Sequence, residues 1–216
     1  MSNPKKNIEN VRVDYDKSLI DFKSINKSPF DLFDKWIEQA FVIDKDNANA
    51  FVLSTVSNNM IPSSRVVLMR GFNEKGLVFY TNYDSNKSKD ILFNNNVSVN
   101  FFWPQLEKQI RIIGKVERIS AKESDEYFNN RPLESKFGAI ISDQSSEISL
   151  DYDFSKKLNI LKTENKTTSP KRPNNWGGFR VVISYFEFWQ GRPSRLHDRL
   201  CYTLERSEWK ISRKSP

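Results

Sequence analysis

Metal-ligating and disulfide-forming residues are scarce in this chain. Its 216 residues include one cysteine, Cys201, and one histidine, His197. A single thiol excludes an internal disulfide, and one thiol with one imidazole falls short of the ligand set of a zinc site. We therefore expect no bound metal, and the low cysteine content agrees with a reducing compartment.

Long apolar runs and glycine-rich motifs are missing as well. No segment approaches the roughly 18 apolar residues of a transmembrane helix, and the opening MSNPKKNIEN lacks the apolar run of a secretory signal. The sequence also contains no dinucleotide fingerprint, no Walker loop and no serine nucleophile elbow. We expect a cytoplasmic protein outside those motif-defined classes.

Aromatic and basic residues, in contrast, are abundant. Sixteen Phe, seven Tyr and five Trp accompany a formal net charge of +7. This charge concentrates anions near the protein, but it does not distinguish nucleic acid, membrane headgroups and small phosphorylated molecules. The length is enough for one domain that buries most of its apolar surface.

The hydrophobic pattern predicts one helix followed by a β-rich domain. Residues 1–27 form a polar N-terminal arm, and SPFDLFDKWIEQAFVI, residues 28–43, is typical of an amphipathic helix capped by Ser28. Between residues 50 and 119, five β-branched and aromatic runs follow one another with mostly short connections, which favours an antiparallel sheet that curls or closes. Three more strands are predicted after residue 177.

Helical segments interrupt this strand pattern. SNKSKDILFNN predicts a short helix, and a capping box of Ser120 with Glu123 opens another helix, which Arg131-Pro132 should end. A further helix is predicted near residues 153–162, followed by a mobile loop in TENKTTSPKRPNN, residues 163–175. The predicted fold class is therefore α+β and β-rich, with a single domain over residues 28–216.

Two clusters in the first half of the chain could bind an anion. Arg65 and Arg70 flank an apolar run in SRVVLMR, but a spacing of five puts them on opposite faces of a strand unless it bends. YTNYDSNKSKD leads from a strand end into a helix start near Ser85, where hydroxyls, a lysine and backbone N–H groups could hold a phosphate. Exposed strand ends and a simple N-cap explain these clusters equally well.

Two further clusters lie in the predicted helical region. Tyr127, Arg131 and Ser135 recur every four residues in YFNNRPLESKFG, so they would lie together if helical character continued across Pro132. SDQSSEIS, residues 142–149, offers amide and hydroxyl groups, but its composition favours a surface loop.

The densest cluster is EFWQGRPSRLHDR, residues 187–199. Arg195, His197 and Arg199 are spaced by two, which on a β-strand would place all three on one face. Three cations on one face repel one another unless they converge on an anion, to which Arg offers bidentate donors. A charged edge strand that discourages aggregation is the alternative.

The same stretch, read as FEFWQGRPSRLHDR, resembles the C-terminal signature of the pyridoxine (pyridoxamine) 5′-phosphate oxidase family. The resemblance extends over most of the chain, through SRVVLMR, GLVFYTN, LEKQIRIIGKVERIS, YFNNRPLESKFGA, SDQSS and WGGFRV, in the order that this family uses. It implies an FMN-binding split barrel, an antiparallel Greek-key-like barrel with flanking helices, that forms a homodimer with FMN at the interface.

The resemblance also implies a reaction in vitamin B6 metabolism. Pyridoxine or pyridoxamine 5′-phosphate would lose hydride from C4′ to flavin N5 and become pyridoxal 5′-phosphate, while O2 reoxidises the flavin and yields H2O2. The protein would supply orientation and electrostatics, and the cofactor the redox chemistry.

Individual residues take roles from this resemblance. The implied FMN contacts are Arg65, Val66, Val67, Leu68, Met69, Arg70, Tyr80, Thr81, Lys87, Gln109, Gln144, Ser145, Trp189 and Arg199. The implied substrate contacts are Arg12, Tyr15, Arg70, Tyr127, Arg131, Ser135, Arg195, Leu196 and His197. Arg195 and His197 would be catalytic, and Arg12 and Tyr15 would belong to a lid formed by the N-terminal arm.

Two residues depart from the family pattern, and two other functions stay open. Arg70 stands where the family often has Lys, and Asn86 stands where an Arg often precedes the lysine, so one phosphate contact is expected to be absent. One alternative is a related split-barrel flavoenzyme with another substrate. The other is a basic barrel that binds nucleic acid, suggested by the charge and the strand aromatics.

Overall fold

The computed structural model describes residues 13–164 and 169–216. The chain divides into two compact units. Unit 1 comprises Phe101–Arg111, Tyr185–Pro216 and the described part of Met1–Ala48. Unit 2 comprises Asn49–Asn100 and the described part of Ile112–Ser184.

Helices and strands alternate along the described chain. The helices are α1 Pro29–Ile43, α2 Asn86–Phe93, α3 Ala121–Asn129, α4 Leu133–Ile141 and α5 Phe154–Glu164. The strands are β1 Ala50–Val56, β2 Pro62–Leu68, β3 Gly71–Asn73, β4 Gly76–Asn82, β5 Asn96–Trp103, β6 Lys108–Arg118, β7 Trp176–Gln190, β8 Asp198–Glu205 and β9 Glu208–Arg213.

Unit 2 is built on a sheet with the strand order β2-β1-β5-β6-β7-β4-β3. The pairs β1–β2, β1–β5, β3–β4 and β4–β7 are antiparallel. One face of this sheet is covered, because strand positions alternate between buried and accessible, as in β1, where Phe51, Leu53 and Thr55 are buried. The sequence prediction of a curled antiparallel sheet is confirmed.

Two adjacent glycines let α3 approach the start of β7. A Cβ on Gly177 would lie 2.2 Å from the Tyr83 hydroxyl, and one on Gly178 would lie 2.3 Å from Cδ1 of Ile119. The Gly178 N–H donates to Ser124 Oγ of α3 at 3.2 Å. This close approach fixes α3 beside Trp176, the first residue of β7.

Unit 1 packs α1 against the second half of β7. Phe33, Trp36, Ile37 and Ala40 of α1 are buried, and the Trp36 ring meets Phe188 edge-on at 5.3 Å. β7 pairs with β8, and β8 pairs with β9, both antiparallel. Ser28 caps α1, as predicted, and Pro29 opens it, whereas Phe41 near its end is 42 % exposed.

Of the other predictions from the sequence, one is confirmed, one is not, and two stay untested. The capping box of Ser120 and Glu123 is confirmed, with both reciprocal hydrogen bonds present. The run that Arg65 and Arg70 flank is not one continuous strand, because β2 ends at Leu68 and β3 begins at Gly71. The loop at residues 163–175 lies partly outside the described residues, and the single domain over residues 28–216 stays a prediction.

No helix in the described residues is long and apolar enough to cross a membrane. Within the same residues, no group of three or more His, Cys, Asp or Glu side chains is arranged to hold a metal ion.

Candidate functional site

A cavity of about 1100 Å³ in unit 2 collects most of the predicted anion-binding residues. Its predicted members are Arg65, Val66, Val67, Leu68, Arg70, Tyr80, Thr81, Lys87, Tyr127, Arg131, Ser135, Gln144 and Ser145. Among the described residues that line it are four cationic side chains and no carboxylate. Such an excess of fixed positive charge in a concave site favours a strongly anionic ligand.

Lys87 is the most deeply buried cation of this cavity. It lies in the first turn of α2, and only 8 % of it is exposed. Its Nζ donates to Thr81 Oγ1 at 3.1 Å, Ser85 Oγ at 3.0 Å and Gln144 Oε1 at 2.8 Å, all neutral acceptors. Burial, and secondarily the positive charge of Arg65, lower the pKa of Lys87 to about 8. A phosphate would supply the missing counter-charge.

Arg65 is held in place by neighbouring strands. Its guanidinium donates to Leu53 O at 3.2 Å, Thr55 Oγ1 at 2.7 Å and Ser63 Oγ at 2.5 Å. Burial lowers the pKa of Arg65, and the carboxylate of Asp90, 4.0 Å away, opposes that effect. These contacts orient the cation before any ligand binds.

Arg70 lines the same cavity because strand β2 ends before this residue. β2 ends at Leu68, and the Arg70 N–H donates to Val78 O of β4 at 2.8 Å. The bend that the spacing of Arg65 and Arg70 required is therefore present, since both line the cavity.

An aromatic stack forms one wall of the cavity. The rings of Tyr80 and Tyr127 are parallel with centroids 3.7 Å apart, and Trp176 stacks on Tyr80 at 5.6 Å. The guanidinium of Arg131 lies over the Trp176 ring at 4.5 Å. Burial raises the pKa of Tyr80 to about 12, so its phenol is neutral.

Arg131 has unused hydrogen-bonding capacity. Its Nη1 is buried and has no hydrogen-bond partner among the residues that the structure describes. Burial is also the main cause that lowers the pKa of Arg131. A buried, unpaired guanidinium nitrogen is costly, and an oxyanion in the cavity would satisfy it.

Tyr127, Arg131 and Ser135 meet across two helices rather than along one. α3 ends at Asn129, and α4 begins after Pro132, whose φ of −53° and ψ of 143° are not helical. All three side chains nevertheless line the cavity. Their grouping is as expected, but it depends on a turn between helices.

Gln144 comes from the segment that the sequence predicted to be a surface loop. Residues 143–150 are largely exposed, and Ser145 has a φ of 75°. Gln144 Oε1 nevertheless accepts from Thr81 Oγ1 at 2.9 Å as well as from Lys87. The loop is thereby attached to the cation-lined cavity.

A second cavity, of about 800 Å³, lies in unit 1. It is lined by Val13, Asp14, Tyr15, Arg192, Ser194, Arg195 and His197. The Tyr15 ring meets Trp189 edge-on at 5.7 Å, and His197 lies 4.6 Å from Trp189. The described part of the arm, which starts at Val13, docks on unit 1, since the Lys17 N–H donates to Glu107 Oε2 at 3.0 Å.

The proton position on His197 follows from one hydrogen bond. Its Nδ1 accepts from the backbone N–H of Arg192 at 3.1 Å, so the neutral ring carries its proton on Nε2. Burial, and then the positive charge of Arg195, lower the pKa of His197 against the opposing charge of Asp198. A neutral ring that donates through Nε2 is therefore the dominant form near neutral pH.

The prediction that Arg195, His197 and Arg199 share one strand face is wrong. β8 begins at Asp198, and Arg195 lies in a short 3₁₀ turn, Pro193–Arg195, with a φ of 61°. Arg199 instead pairs with the buried Glu187, with Nη2 and Oε1 2.8 Å apart. Arg195 is exposed and makes no side-chain hydrogen bond or ion pair within residues 13–164 and 169–216.

Several assignments lie outside both cavities, and two residues were missed. Met69, Gln109, Leu196, Trp189 and Arg199 do not line either cavity, and Arg12 lies outside the described residues. Trp176 and Glu187 were not singled out from the sequence. Trp176 begins WGGFRV, and its two following glycines are a sequence signal of close backbone packing.

Comparisons with known proteins agree with this fold. The family model described as pyridoxamine 5′-phosphate oxidase matches residues 38–156. The one described as pyridoxine 5′-phosphate oxidase C-terminal dimerisation region matches residues 176–216. A pyridoxine/pyridoxamine 5′-phosphate oxidase of Cytophaga hutchinsonii is 44% identical over 98% of this chain and 100% of its own. One of Bordetella petrii is 45% identical over 97% and 99%.

Solved structures show the same fold. PhzG from Burkholderia lata 383, in complex with tetrahydrophenazine-1-carboxylic acid, has a TM-score of 0.84 at 24% identity, covering 90% of this chain and 95% of its own. An FMN-binding protein from Nostoc punctiforme PCC 73102, related to pyridoxamine 5′-phosphate oxidase, has a TM-score of 0.71 at 17% identity, covering 89% and 100%.

The curled antiparallel sheet with five helices in the described chain thus defines the class by its fold: the split barrel that these solved structures share. The full-length relatives narrow the class further. The chain belongs to the pyridoxine/pyridoxamine 5′-phosphate oxidase family.

Proposed function

We propose that this chain is an FMN-dependent oxidase of pyridoxine 5′-phosphate and pyridoxamine 5′-phosphate. The alcohol substrate and O2 give pyridoxal 5′-phosphate and H2O2. The amine substrate also consumes water and releases ammonia. When bound, FMN accepts hydride from the substrate and passes the electrons to O2.

One observation carries the proposal beyond family membership. The unit 2 cavity has four cations, no carboxylate among its described lining residues, and a buried lysine with only neutral partners. FMN and both substrates carry a phosphate, so the residues fit the cofactor and the substrates. The sequence interpretation as a nucleic-acid barrel receives less support, because these cations line a cavity rather than a continuous groove.

Two phosphates require two cationic groups within the unit 2 cavity. Lys87 and Arg65, with Thr81, Gln144 and Ser145, would hold the FMN phosphate near the start of α2. Asn86 stands in the first turn of α2, so the backbone there contributes N–H groups, although the side chain adds no charge. Backbone and side chains of residues 66–70, with Tyr80, would line the rest of the cofactor site.

The α3–α4 turn would hold the substrate phosphate. Arg131 offers an unpaired, buried Nη1, and Tyr127 and Ser135 offer hydroxyls beside it. Arg70 adds a second cation with planar donor geometry where the family often has lysine. Stacking of Arg131 on Trp176 keeps the guanidinium oriented towards the cavity.

By the family pattern, His197 and Arg195 would act on the reacting end of the substrate. His197 would donate a hydrogen bond through Nε2, and Arg195, free of described partners, would polarise the pyridine ring. Tyr15, packed on Trp189 and His197, would cover bound substrate and exclude water. Gln109, Trp189 and Arg199 would contact the flavin, as in the family pattern.

The assembly would be a homodimer with FMN at the interface. The match of residues 176–216 to a dimerisation region supports this assembly. On unit 2, the apolar side chains of Ile113 and Val182 are each 42 % exposed. The proposed partner subunit would cover them.

Aerobic turnover of the FMN-loaded protein tests the proposal. Pyridoxine 5′-phosphate and pyridoxamine 5′-phosphate should each yield pyridoxal 5′-phosphate, with one H2O2 per product, whereas unphosphorylated pyridoxine should react poorly. Arg131→Leu should raise KM about tenfold or more with unchanged FMN affinity, because a charge-assisted phosphate contact is lost. Lys122→Leu, on the exposed side of α3, is the matched control.

Two results would contradict the proposal. A protein that does not bind FMN would exclude the cofactor assignment. An FMN-loaded protein inert towards both phosphorylated substrates would leave a related split-barrel flavoenzyme with another substrate.

A further inference from the structure

Glu187 is a buried carboxylate that the proposed reaction does not use. It lies in the second half of β7, and only 2 % of it is exposed. Its Oε1 accepts from Arg199 Nε at 2.9 Å and lies 2.8 Å from Arg199 Nη2. Its Oε2 accepts from the Tyr185 hydroxyl at 2.8 Å and from Arg111 Nη1 at 3.3 Å. Both oxygens are therefore occupied.

Strand register explains how Glu187 reaches Arg199. In the β7–β8 pair, Arg199 stands directly opposite Trp189, while Glu187 stands opposite Cys201. The guanidinium of Arg199 therefore leans diagonally, two positions along β7, towards the carboxylate. Without Glu187, nothing else among its described contacts except the Ser215 carbonyl, 2.9 Å away, would direct this side chain.

A third strand, β6, contributes Arg111. In the sheet, β6 is the neighbour of β7. Gln109 lies two positions before Arg111, on the same face of β6. Gln109 and Trp189, which like Arg199 have an expected FMN role, thus lie on the same strand faces as Arg111 and Glu187, respectively. We call Arg111, Glu187 and Arg199 the ion-pair row.

The row carries one negative and two positive charges, so one positive charge is in excess. Burial alone would raise the pKa of Glu187, but the hydrogen bonds from Tyr185 and Arg199 and the charges of both arginines lower it overall. A buried ion pair is weak evidence for stability, since its desolvation offsets much of the attraction. Conformational specificity is the better-supported role for such a group.

We propose that Glu187 is a positioning residue for the flavin: it holds Arg199 in the orientation that contacts FMN, without touching the cofactor itself. The proposal rests on the proposed function, because it needs FMN as the ligand of Arg199. The low exposure of Glu187 and the occupation of both its oxygens argue that it acts through Arg199.

A double-mutant cycle on FMN affinity tests this role. Glu187→Gln should weaken FMN binding about tenfold, within the range of coupling for neighbours in one ion-pair network. Arg199→Met should weaken it at least as much, and adding Glu187→Gln to Arg199→Met should change the affinity less than about twofold. Quenching of flavin fluorescence measures each Kd, and denaturant unfolding of the apoproteins monitors stability.

The controls separate positioning from general destabilisation. Glu205→Gln removes an exposed carboxylate of β8, the strand that also carries Arg199. Glu205 contacts Lys210 at 3.4 Å, and its replacement should leave the FMN Kd unchanged. If Glu187→Gln does not fold, Tyr185→Phe removes one hydrogen bond to the same carboxylate. It should then weaken FMN binding about twofold to threefold, and only while Arg199 is present.

Each outcome of these FMN Kd measurements either supports or contradicts the positioning role of Glu187. Non-additive losses in the cycle support the role of Glu187, and additive losses overturn it while leaving the FMN assignment intact. An unchanged FMN Kd in Tyr185→Phe, where that variant replaces Glu187→Gln, also overturns it. If the wild-type chain does not bind FMN, the proposed function fails first and this inference fails with it.

Discussion

Lys87 illustrates how a single residue can indicate the charge of a ligand. Its amine is buried among three neutral oxygens, and its pKa is lowered to about 8. The unfolded chain keeps its proton up to a higher pH. Apoprotein stability should therefore rise with pH above about 8, because the folded state loses its unfavourable buried charge there.

FMN affinity should show the opposite pH dependence. A phosphate dianion favours charged Lys87, so binding should weaken as pH rises above about 8, approaching tenfold per pH unit. Kd values measured between about pH 7 and about pH 9 test this expectation. Lys87→Arg keeps its charge over that range and should bind with little pH dependence. An equal pH dependence in both proteins would contradict the assignment of Lys87 to the phosphate.

His197 can be observed directly because it is the chain's only histidine. Nitrogen-15 NMR of histidine-labelled protein should show an unprotonated Nδ1 and a protonated Nε2 at neutral pH, since Nδ1 accepts from the Arg192 N–H. The imidazole should titrate below its ordinary pKa. Arg192→Ala retains the backbone donor and should preserve the tautomer. A proton on Nδ1, or a doubly protonated ring at neutral pH, would contradict this role.

The residue scale also shows what sequence periodicity could not predict. Spacing by two suggested a strand through Arg195 and His197, but Ser194 and Arg195 both have φ near +60°. Neither residue is glycine, so no local signal marked this left-handed turn. The chain bends there because His197 and Arg192 bond across the turn, a contact that periodicity does not encode.

At the scale of elements, local signals predicted structure well. The caps at Ser28 and Ser120 were visible because each rests on neighbouring residues. The grouping of Tyr127 with Arg131 was also visible, from a spacing of four. Trp176 and Glu187 were not, because their contacts join residues that are distant in the chain.

The docked arm gives a prediction about one glycine. A Cβ on Gly191 would lie 2.6 Å from Cγ of Tyr15, so Gly191→Ala should displace the Tyr15 ring from Trp189. Substrate KM should rise several-fold, while FMN affinity should stay near the wild-type value. Gly71→Ala is the matched control, since its Cβ would come no closer than 3.6 Å to its nearest neighbour, Cβ of Val78. Unchanged KM in Gly191→Ala would contradict the proposed covering role of Tyr15.

At the scale of the whole molecule, the fold class was predictable and the assembly remains a proposal. Short connections and β-branched runs indicated a curled antiparallel sheet, and the strand order agrees with it. Val182 lies within the segment that matches a dimerisation region and is 42 % exposed. The match to a dimerisation region, rather than the exposure of this one side chain, is the reason to propose that a partner covers it.

Charge at that position should break a homodimer. Val182→Glu should shift the chain towards monomer in light scattering coupled to gel filtration, because a buried, unpaired carboxylate would be costly at the interface. Val42→Glu on α1, where the valine is exposed and lies outside residues 176–216, makes the same substitution elsewhere and serves as control. A wild-type chain that is monomeric, or a Val182→Glu variant that stays dimeric, would contradict this interface.

The most direct test of the central claim is anaerobic mixing of the FMN-loaded protein with its proposed substrates. Pyridoxine 5′-phosphate should bleach the flavin absorption in a single turnover, and admission of O2 should restore it with release of H2O2. Unphosphorylated pyridoxine should bleach it far more slowly, since it cannot use Arg131 and its neighbours. A flavin that neither pyridoxine 5′-phosphate nor pyridoxamine 5′-phosphate reduces would contradict the proposed function.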